Sequence, residues 1–214
     1  MHIEHQKKNP IIHPSAWVAS NAVICGEVII EEDVYISYGA VIIAEGASIH
    51  IKKGTIIMEN VVLKSSEGKT ISSPLLIEEQ TLIGPYAYLI GCTIARKCFL
   101  AAGAKVYSKA YIGEQSIIGI NGVVHIDTNL KAKTKVPTQH MAFGDPAKIY
   151  PPDDTGKIVK ETESLNFLDT LFQVKDKSKD LKYVDVLEQY RHMLFEHKNE
   201  DIKRNLSSKS IDKW

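Results

Sequence analysis

The stretch that decides the fold runs from Cys92 to Val124 and reads CTIARK-CFLAAG-AKVYSK-AYIGEQ-SIIGIN-GVV. An aliphatic residue returns at every sixth position, namely at Ile94, Leu100, Val106, Ile112, Ile118 and Val124. A small residue stands two places before each of these, at Cys92, Cys98, Ala104, Ala110, Ser116 and Gly122. A strict period of six fits neither a helix nor an alternating strand, but it is typical of a β-helix built from six-residue repeats. We expect the aliphatic residues to point into a narrow prism and the small residues to lie where the chain turns between faces.

The same period extends towards the N-terminus, with two breaks in register. It runs through Val18, Ile24, Ile30, Ile36 and Ile42, slips by three residues, and resumes at Ile51, Ile57 and Leu63. The polar segment 65–74 interrupts it and predicts a loop ejected from a corner of the prism. Ile77, Ile83 and Leu89 follow, and the hexad before Ile94 is one residue short. These seventeen inward positions, at three faces to a coil, predict a mainly β protein: a parallel β-helix of about six triangular coils.

A change in composition follows the repeat. The pattern fades over Asp127–Gln139, and Pro146, Pro151 and Pro152 exclude a continuing helix or central strand. Segments 160–174 and 181–203 then carry apolar residues at helical spacing, which predicts a C-terminal pair of α-helices. We therefore expect a β-helix over residues 11–150, a helical appendage over 151–204 and a tail over 205–214.

The overall composition excludes several classes of function. Lys+Arg and Asp+Glu are both 26, so the balance favours neither nucleic acid nor an anionic membrane as a partner. No apolar run approaches the roughly 18 residues of a membrane-spanning helix, and Met1–Pro10 is too polar for a signal peptide. The three cysteines form no CxxC pair, which favours reduced, structural thiols in a cytoplasmic protein.

Candidates for catalysis are few. Among the eight histidines, His125 follows the inward Val124 and should point outward from a face, while His140 lies in the terminal loop. Either is a weak candidate for a general base beside a docked hydroxyl group. The other histidines fit solvated or capping positions, and the sequence offers no Ser/His/Asp set and no phosphate-binding glycine loop.

Several segments together resemble the γ-class carbonic anhydrases and their relatives. They are Ser15–Ala19, Gly39–Val41, Asn60–Leu63, Leu89–Ile94 and Gly144–Lys148, together with the ejected loop and the short hexad. The resemblance covers roughly residues 11–150. It implies a left-handed β-helix and a homotrimer with clefts between its subunits.

The resemblance also identifies what this chain lacks. Catalytic members bind a metal through three histidines, and the corresponding positions here are Lys64, Pro85 and Ile90. Zinc needs imidazole, thiolate or carboxylate ligands, so these three residues are unsuitable. Nearby, Ile43 and Met58 replace an arginine and a glutamine of the family, whereas Glu45 and Glu59 keep acidic character. We therefore predict no bound zinc, and carbonic anhydrase activity is not expected.

Two functions of different class remain open. In the first, the protein is a non-catalytic trimeric or hetero-assembled scaffold whose C-terminal helices bind a protein partner. Metal-free hexapeptide-repeat subunits at the pointed end of dynactin are similar. In the second, it is an acyltransferase or another small-molecule enzyme that uses the intersubunit cleft. Many hexapeptide-repeat proteins transfer acyl groups from coenzyme A or a carrier protein with a histidine as the base. The scaffold is favoured because no histidine matches the acyltransferase motif.

Overall fold

A computed structural model describes residues 1–67, 72–165 and 179–209. In it, three parallel sheets form the faces of a β-helix, and successive strands along the chain pass from one face to the next. Each of the two shorter faces has seven strands, so the prism has seven coils. The predicted mainly β, coiled architecture is confirmed, and the predicted count of about six coils is one short.

The strands are short, as six-residue repeats require. The first face contains His2–Ile3, Val23–Cys25, Val41–Ile43, Val62–Lys64, Tyr88–Ile90, Lys105–Val106, Val123–Val124, Met141–Phe143 and Lys148–Tyr150. The second face contains Ile11–Ile12, Val28–Ile30, Ile49–Ile51, Leu75–Ile77, Thr93–Ile94, Tyr111–Ile112 and Asn129–Leu130. The third face contains Trp17–Val18, Tyr35–Ile36, Ile56–Ile57, Leu82–Ile83, Phe99–Leu100, Ile117–Ile118 and Lys135–Val136. Ser66–Glu67 and Ser72–Ser73 pair antiparallel within the ejected loop.

The core is the stack of inward aliphatic side chains that the period of six predicts. Ile42, Leu63 and Leu89, for example, lie directly above one another on the first face and are fully buried. The small residues are buried at the corners, with Cys92 at 1% and Ala104 at 0% exposure. A column of fully buried Ile and Leu side chains supplies the apolar area that stabilises each coil on the next.

The seventh coil was missed because its outward residues are strongly polar. The period continues through Leu130, Val136 and Ala142, all buried, while lysines occupy the intervening outward positions. The sequence suggested that the prism fades over Asp127–Gln139, but the regular coil continues through this segment. Its last strand on the first face, Met141–Phe143, pairs antiparallel with Lys148–Tyr150.

Two compact units make up the chain, Met1–Ser164 and Leu165–Trp214. In the first unit, helix α1 spans Thr155–Ser164. In the second, helix α2 spans Lys179–Lys209, so it includes part of the segment predicted as a tail. Most of the segment 160–174, which was predicted as the first of the two helices, lies outside the described residues. Within the described residues, no helix combines the length and apolar character needed to cross a bilayer.

Candidate functional site

Three of the predicted site residues form one column on the first face. Lys64 lies in register between Ile43 on the preceding coil and Ile90 on the following coil. All three point outward and are half-buried. Side chains in register on adjacent parallel strands lie about one strand spacing apart, so these residues share one surface. The structure thus brings together two of the three positions that the resemblance assigns to metal ligands.

Glu45 joins this column from the corner that follows the strand Val41–Ile43. The extra residues of the slipped register form this corner, and Glu45 is 8% exposed. Its Oε1 atom lies 3.6 Å from Nζ of Lys64, and its Oε2 atom lies 3.5 Å from Nε2 of His5. A carboxylate this deeply buried needs compensating charge or hydrogen bonds. Both carboxylate oxygens therefore face basic groups of the same chain.

His5 is the residue of this site that the sequence analysis missed. The N-terminal strand His2–Ile3 pairs with Val23–Cys25, and reciprocal backbone bonds between His5 and Lys8 then turn the chain. This turn places the His5 ring at 2% exposure beside Glu45. The sequence predicted only a polar terminus, because a contact between residues forty positions apart has no local signal.

Pro85, Met58 and Glu59 lie elsewhere, at the corner between the third and first faces. The hydroxyl of Ser37 donates to the Glu59 carboxylate at 2.7 Å, and this bond lowers the pKa of Glu59. The Glu59 carbonyl accepts from the backbone N–H of Tyr86 at 3.0 Å, so this corner and the one bearing Pro85 stack. The Met58 side chain is half-buried beside them.

The site residues thus form two groups at opposite ends of the first-face strands. Ile43, Lys64 and Ile90 end their strands, whereas Glu59 and Pro85 precede the strands of their coils. Within one chain the two groups do not meet. The resemblance joins them only across a subunit boundary, where position 85 of a neighbour would face positions 64 and 90.

The residues present do not fit a catalytic metal. The Lys64 ammonium already faces the Glu45 carboxylate at 3.6 Å, and a protonated ammonium repels a cation. Ile90 has a hydrocarbon side chain, and the Pro85 ring nitrogen is part of a peptide bond, so neither supplies a donor. We derive no chemistry through a metal at this site.

His125, one of the two candidate bases, is packed rather than presented to solvent. Its ring lies between Tyr107 and Phe143, with centroid distances of 5.4 and 5.1 Å, and it is stacked on Phe143. Its Nδ1 atom accepts from the backbone N–H of Ile126 at 2.9 Å. Burial lowers its pKa from the ordinary value of 6.5, because desolvation disfavours the charged ring. These contacts are those of a neutral, structural histidine.

His140, the other candidate, lies in the last corner before Met141–Phe143. Its Nδ1 atom lies 2.9 Å from the backbone carbonyl of Thr138, so Nδ1 carries the proton in that bond. The neutral tautomer then has its lone pair on Nε2, which is the form that a general base requires. Of the two candidates, only His140 has a protonated Nδ1 atom and an Nε2 lone pair that can accept a proton.

Comparison with known proteins supports the fold and a distant kinship. No protein-family model matches the chain. The mitochondrial γ carbonic anhydrase 2 of Arabidopsis thaliana is 25% identical over 200 residues, which is 91% of this chain and 69% of that protein. The carnitine operon protein CaiE of a Proteus species is 29% identical over 139 residues, 65% of this chain and 66% of that protein.

The likeness to solved structures concerns the fold. A putative acetyltransferase of Bacillus cereus superposes with a TM-score of 0.51 at 17% identity, covering 94% of this chain and 97% of that one. The chain spans between half and about two thirds of the length of the curated relatives it matches. By sequence the chain is therefore similar to the γ-class carbonic anhydrases, and by fold it is a hexapeptide-repeat β-helix.

Proposed function

We propose that this protein is a non-catalytic binding or scaffold protein, related to the γ-class carbonic anhydrases, that has lost the metal site and assembles as a homotrimer. The observation that carries the proposal is the Lys64–Glu45 pair at 3.6 Å. The acidic residue is kept, and the positive charge beside it comes from the chain itself. Pro85 and Ile90, at the other two positions that the resemblance assigns to metal ligands, supply no ligand atom either.

The C-terminal helix supports a role in binding a protein partner. In helix α2, Val184, Leu187, Tyr190, Leu194 and Phe195 are between 37% and 60% exposed. Val184, Leu187, Tyr190 and Leu194 recur at intervals of three or four residues, so they share one side of the helix. Amphipathic helices with such a stripe commonly dock into apolar grooves of other proteins. The described part of α2 thus offers a surface of the kind that the scaffold role needs.

The compartment is part of the same proposal. Cys92 and Cys98 are buried free thiols, and burial raises their pKa values. Free, protonated thiols fit a reducing compartment such as the cytoplasm.

Elemental analysis tests the loss of the metal site. The protein, purified without chelator, should contain no stoichiometric zinc, cobalt or iron, and it should not hydrate carbon dioxide above the uncatalysed rate. One equivalent of metal per chain that disappears on substitution of Glu45 with Gln would overturn the proposal. If the Glu45→Gln variant keeps the metal, the metal binds at another site, and the proposal for the cleft residues stands.

The acyltransferase remains the alternative, and one observation favours it. His140 is held with its Nε2 lone pair available, as a base accepting a proton from a substrate amine or hydroxyl would be. A thermal-shift titration with acetyl-CoA and CoA separates the two functions. A ligand at a hundred times its dissociation constant raises the unfolding free energy by about 2.7 kcal/mol. Saturable stabilisation, with acetyl transfer that is lost in His140→Asn, would favour the acyltransferase; no response favours the scaffold.

A further inference from the structure

An uninterrupted ridge of large apolar side chains runs along the third face. Six outward residues lie in register on successive coils: Trp17, Tyr35, Ile56, Leu82, Phe99 and Ile117. Apart from the half-buried Leu82, each is between 37% and 51% exposed. Only the seventh coil places a charge in this column, at Lys135. We call these six residues the third-face ridge.

The second face, by contrast, carries charged pairs at its surface and corner. Its outward and corner residues form ion pairs between coils, including Glu31–His50 at 2.7 Å, Lys52–Glu78 at 3.1 Å and Arg96–Glu114 at 3.0 Å. Such pairs solvate a β surface and disfavour contact between sheets. Exposed apolar residues are normal singly, but a continuous patch on one face marks an interaction surface.

Two positions in the column beside the ridge are small for an internal reason. Gly84 and Gly119 lie in it, and a Cβ atom at Gly84 would meet the carbonyl oxygen of Leu100 at 2.7 Å, while one at Gly119 would meet the nitrogen of Thr138 at 2.6 Å. Coil stacking therefore excludes a side chain at these two positions, and the glycines are no evidence of a partner.

The adjoining corner extends the apolar surface. Tyr38 packs edge-on against Trp17 at a centroid distance of 5.8 Å, while Tyr86 and Ile120 are 68% and 51% exposed. Since a large aromatic side chain buries about 150–250 Å², the exposed parts of the ridge and these three residues amount to roughly 700 Å². A stable protein interface of standard size buries about 600–1,000 Å² on each partner. The surface is thus large enough for a lasting complex.

We propose that the third-face ridge is the surface on which a second copy of this chain docks. The ridge repeats once per coil, at the spacing of about 4.8 Å between parallel strands, so its six residues span about 24 Å. A second prism presents side chains at that same spacing along its whole length. The ridge carries no charge, and in a homotrimer, whose interfaces are heterologous, it faces a different surface of the next copy. This inference rests on the proposed assembly of the protein and adds one of the two surfaces that form its interface.

Matched substitutions on two faces test the proposal. Phe99 on the ridge and Tyr111 on the second face are 43% and 44% exposed, and both point outward. We expect Phe99→Lys to raise the dissociation constant of the assembly at least a hundredfold in sedimentation or light scattering at micromolar concentration. Tyr111→Lys, which adds a cation near Glu78 and Glu114, should leave the mass unchanged. Circular dichroism verifies that both variants keep the wild-type fold, and Ile117→Lys serves as a second ridge variant.

The native tryptophan gives an independent measurement. Trp17 lies on the ridge, and in a Trp214→Phe background it is the sole tryptophan, since the chain has two. Its emission should shift to the blue as concentration rises through the dissociation constant, and Phe99→Lys should abolish that shift.

The outcomes separate this inference from the proposed function. If the Phe99→Lys and Ile117→Lys variants both assemble as tightly as the wild type, the ridge is not the interface, and the proposal of a metal-free homotrimer still stands. If the wild type is a monomer at all accessible concentrations, both the ridge interface and the homotrimer are wrong. The metal content then still tests the loss of the metal site by itself.

Discussion

The Nζ atom of Lys64 lies 3.6 Å from Oε1 of Glu45, although the two residues belong to successive coils. Lys64 ends a first-face strand, and Glu45 reaches it from the corner of the coil before. The side chains are 22% and 10% exposed, so water screens this pair less than a surface pair. An ammonium group thus accompanies the carboxylate that the resemblance to carbonic anhydrases places beside a metal. The chain itself thus places a basic group beside this carboxylate.

Removal of this ammonium should destabilise the protein. We expect Lys64→Met to lower the free energy of unfolding by about 1–3 kcal/mol, less than the loss of a partner in a fully buried pair, because Lys64 is partly exposed. The change keeps the aliphatic stem and leaves Glu45 with one basic neighbour fewer. Urea denaturation at pH 7 measures it.

Lys53 provides the control for this prediction. Its Nζ atom lies 2.7 Å from Glu32, a shorter contact, but both side chains are about half exposed. Water and salt screen exposed pairs, which therefore contribute little to stability, so Lys53→Met should have the smaller effect. Equal losses in the two variants would show that burial does not strengthen the Lys64 pair.

Restoring histidines tests whether the vacated positions converge between subunits. The triple variant Lys64→His, Pro85→His and Ile90→His should bind about one zinc per chain, because three imidazoles suffice for a zinc site with an open position. It should hydrate carbon dioxide poorly even so, since Ile43 and Met58 cannot orient ligands or accept protons. Elemental analysis measures the metal. A metal-free triple variant that keeps the wild-type mass would mean that the three positions do not meet.

Much of the prism could be predicted because its core depends on local periodicity. Each inward residue, such as Leu89, is specified by its place in a hexad, and the short hexad before Ile94 marks a register break that the structure confirms. The seventh coil was missed since the lysines around Val136 hide the period, although Val136 is 1% exposed. The inward aliphatic residues predict a coil of the prism, and the composition of the outward residues does not.

The site was harder to predict because it depends on contacts between coils. The position of Lys64 could be assigned through the resemblance, but its ion pair with Glu45 and the approach of His5 follow from how the N-terminal turn packs. The exposure of the third-face ridge likewise emerges only when six separate strands are stacked. His125 could be placed outside the core but not recognised as packed between two rings.

The buried ring of His125 should make stability depend on pH. Its pKa is lowered in the folded protein, so below the ordinary value of 6.5 the unfolded chain takes up a proton that the folded chain does not. Stability should therefore be fully present above pH 6.5 and decline as the pH falls towards the lowered pKa. His125→Phe keeps an aromatic ring beside Phe143 and cannot be protonated.

Urea denaturation of the wild type and of His125→Phe at pH 7.5 and 5.5 measures this effect. The variant should lose less stability between the two values. If both proteins lose the same amount, the folded protein protonates His125 as readily as the unfolded chain does.

We expect Tyr86 to lower the stability of the fold and to strengthen assembly. Its φ angle is +59°, a left-handed conformation that costs a non-glycine residue about 1–2 kcal/mol, whereas the equivalent corners carry Gly39, Asn60, Gly103 and Asn121. Tyr86→Gly relieves that strain and loses about 0.5–1 kcal/mol to the greater freedom of the unfolded chain. In the Phe99→Lys background, where unfolding is not coupled to assembly, we expect a net gain of up to about 1.5 kcal/mol in the free energy of unfolding.

In the wild-type background the same change should weaken assembly, because it removes a tyrosine that is 68% exposed beside the third-face ridge. Gln139 provides the matched control, since it occupies the same corner on the last coil with a φ angle of +63° and is polar. Gln139→Gly should give a similar gain in stability and leave the dissociation constant unchanged. Denaturation and sedimentation measure the two effects separately. If Tyr86→Gly stabilises the fold and assembles as tightly as the wild type, then strain at this corner is not maintained by contact with a second copy, and the interface must end short of Tyr86.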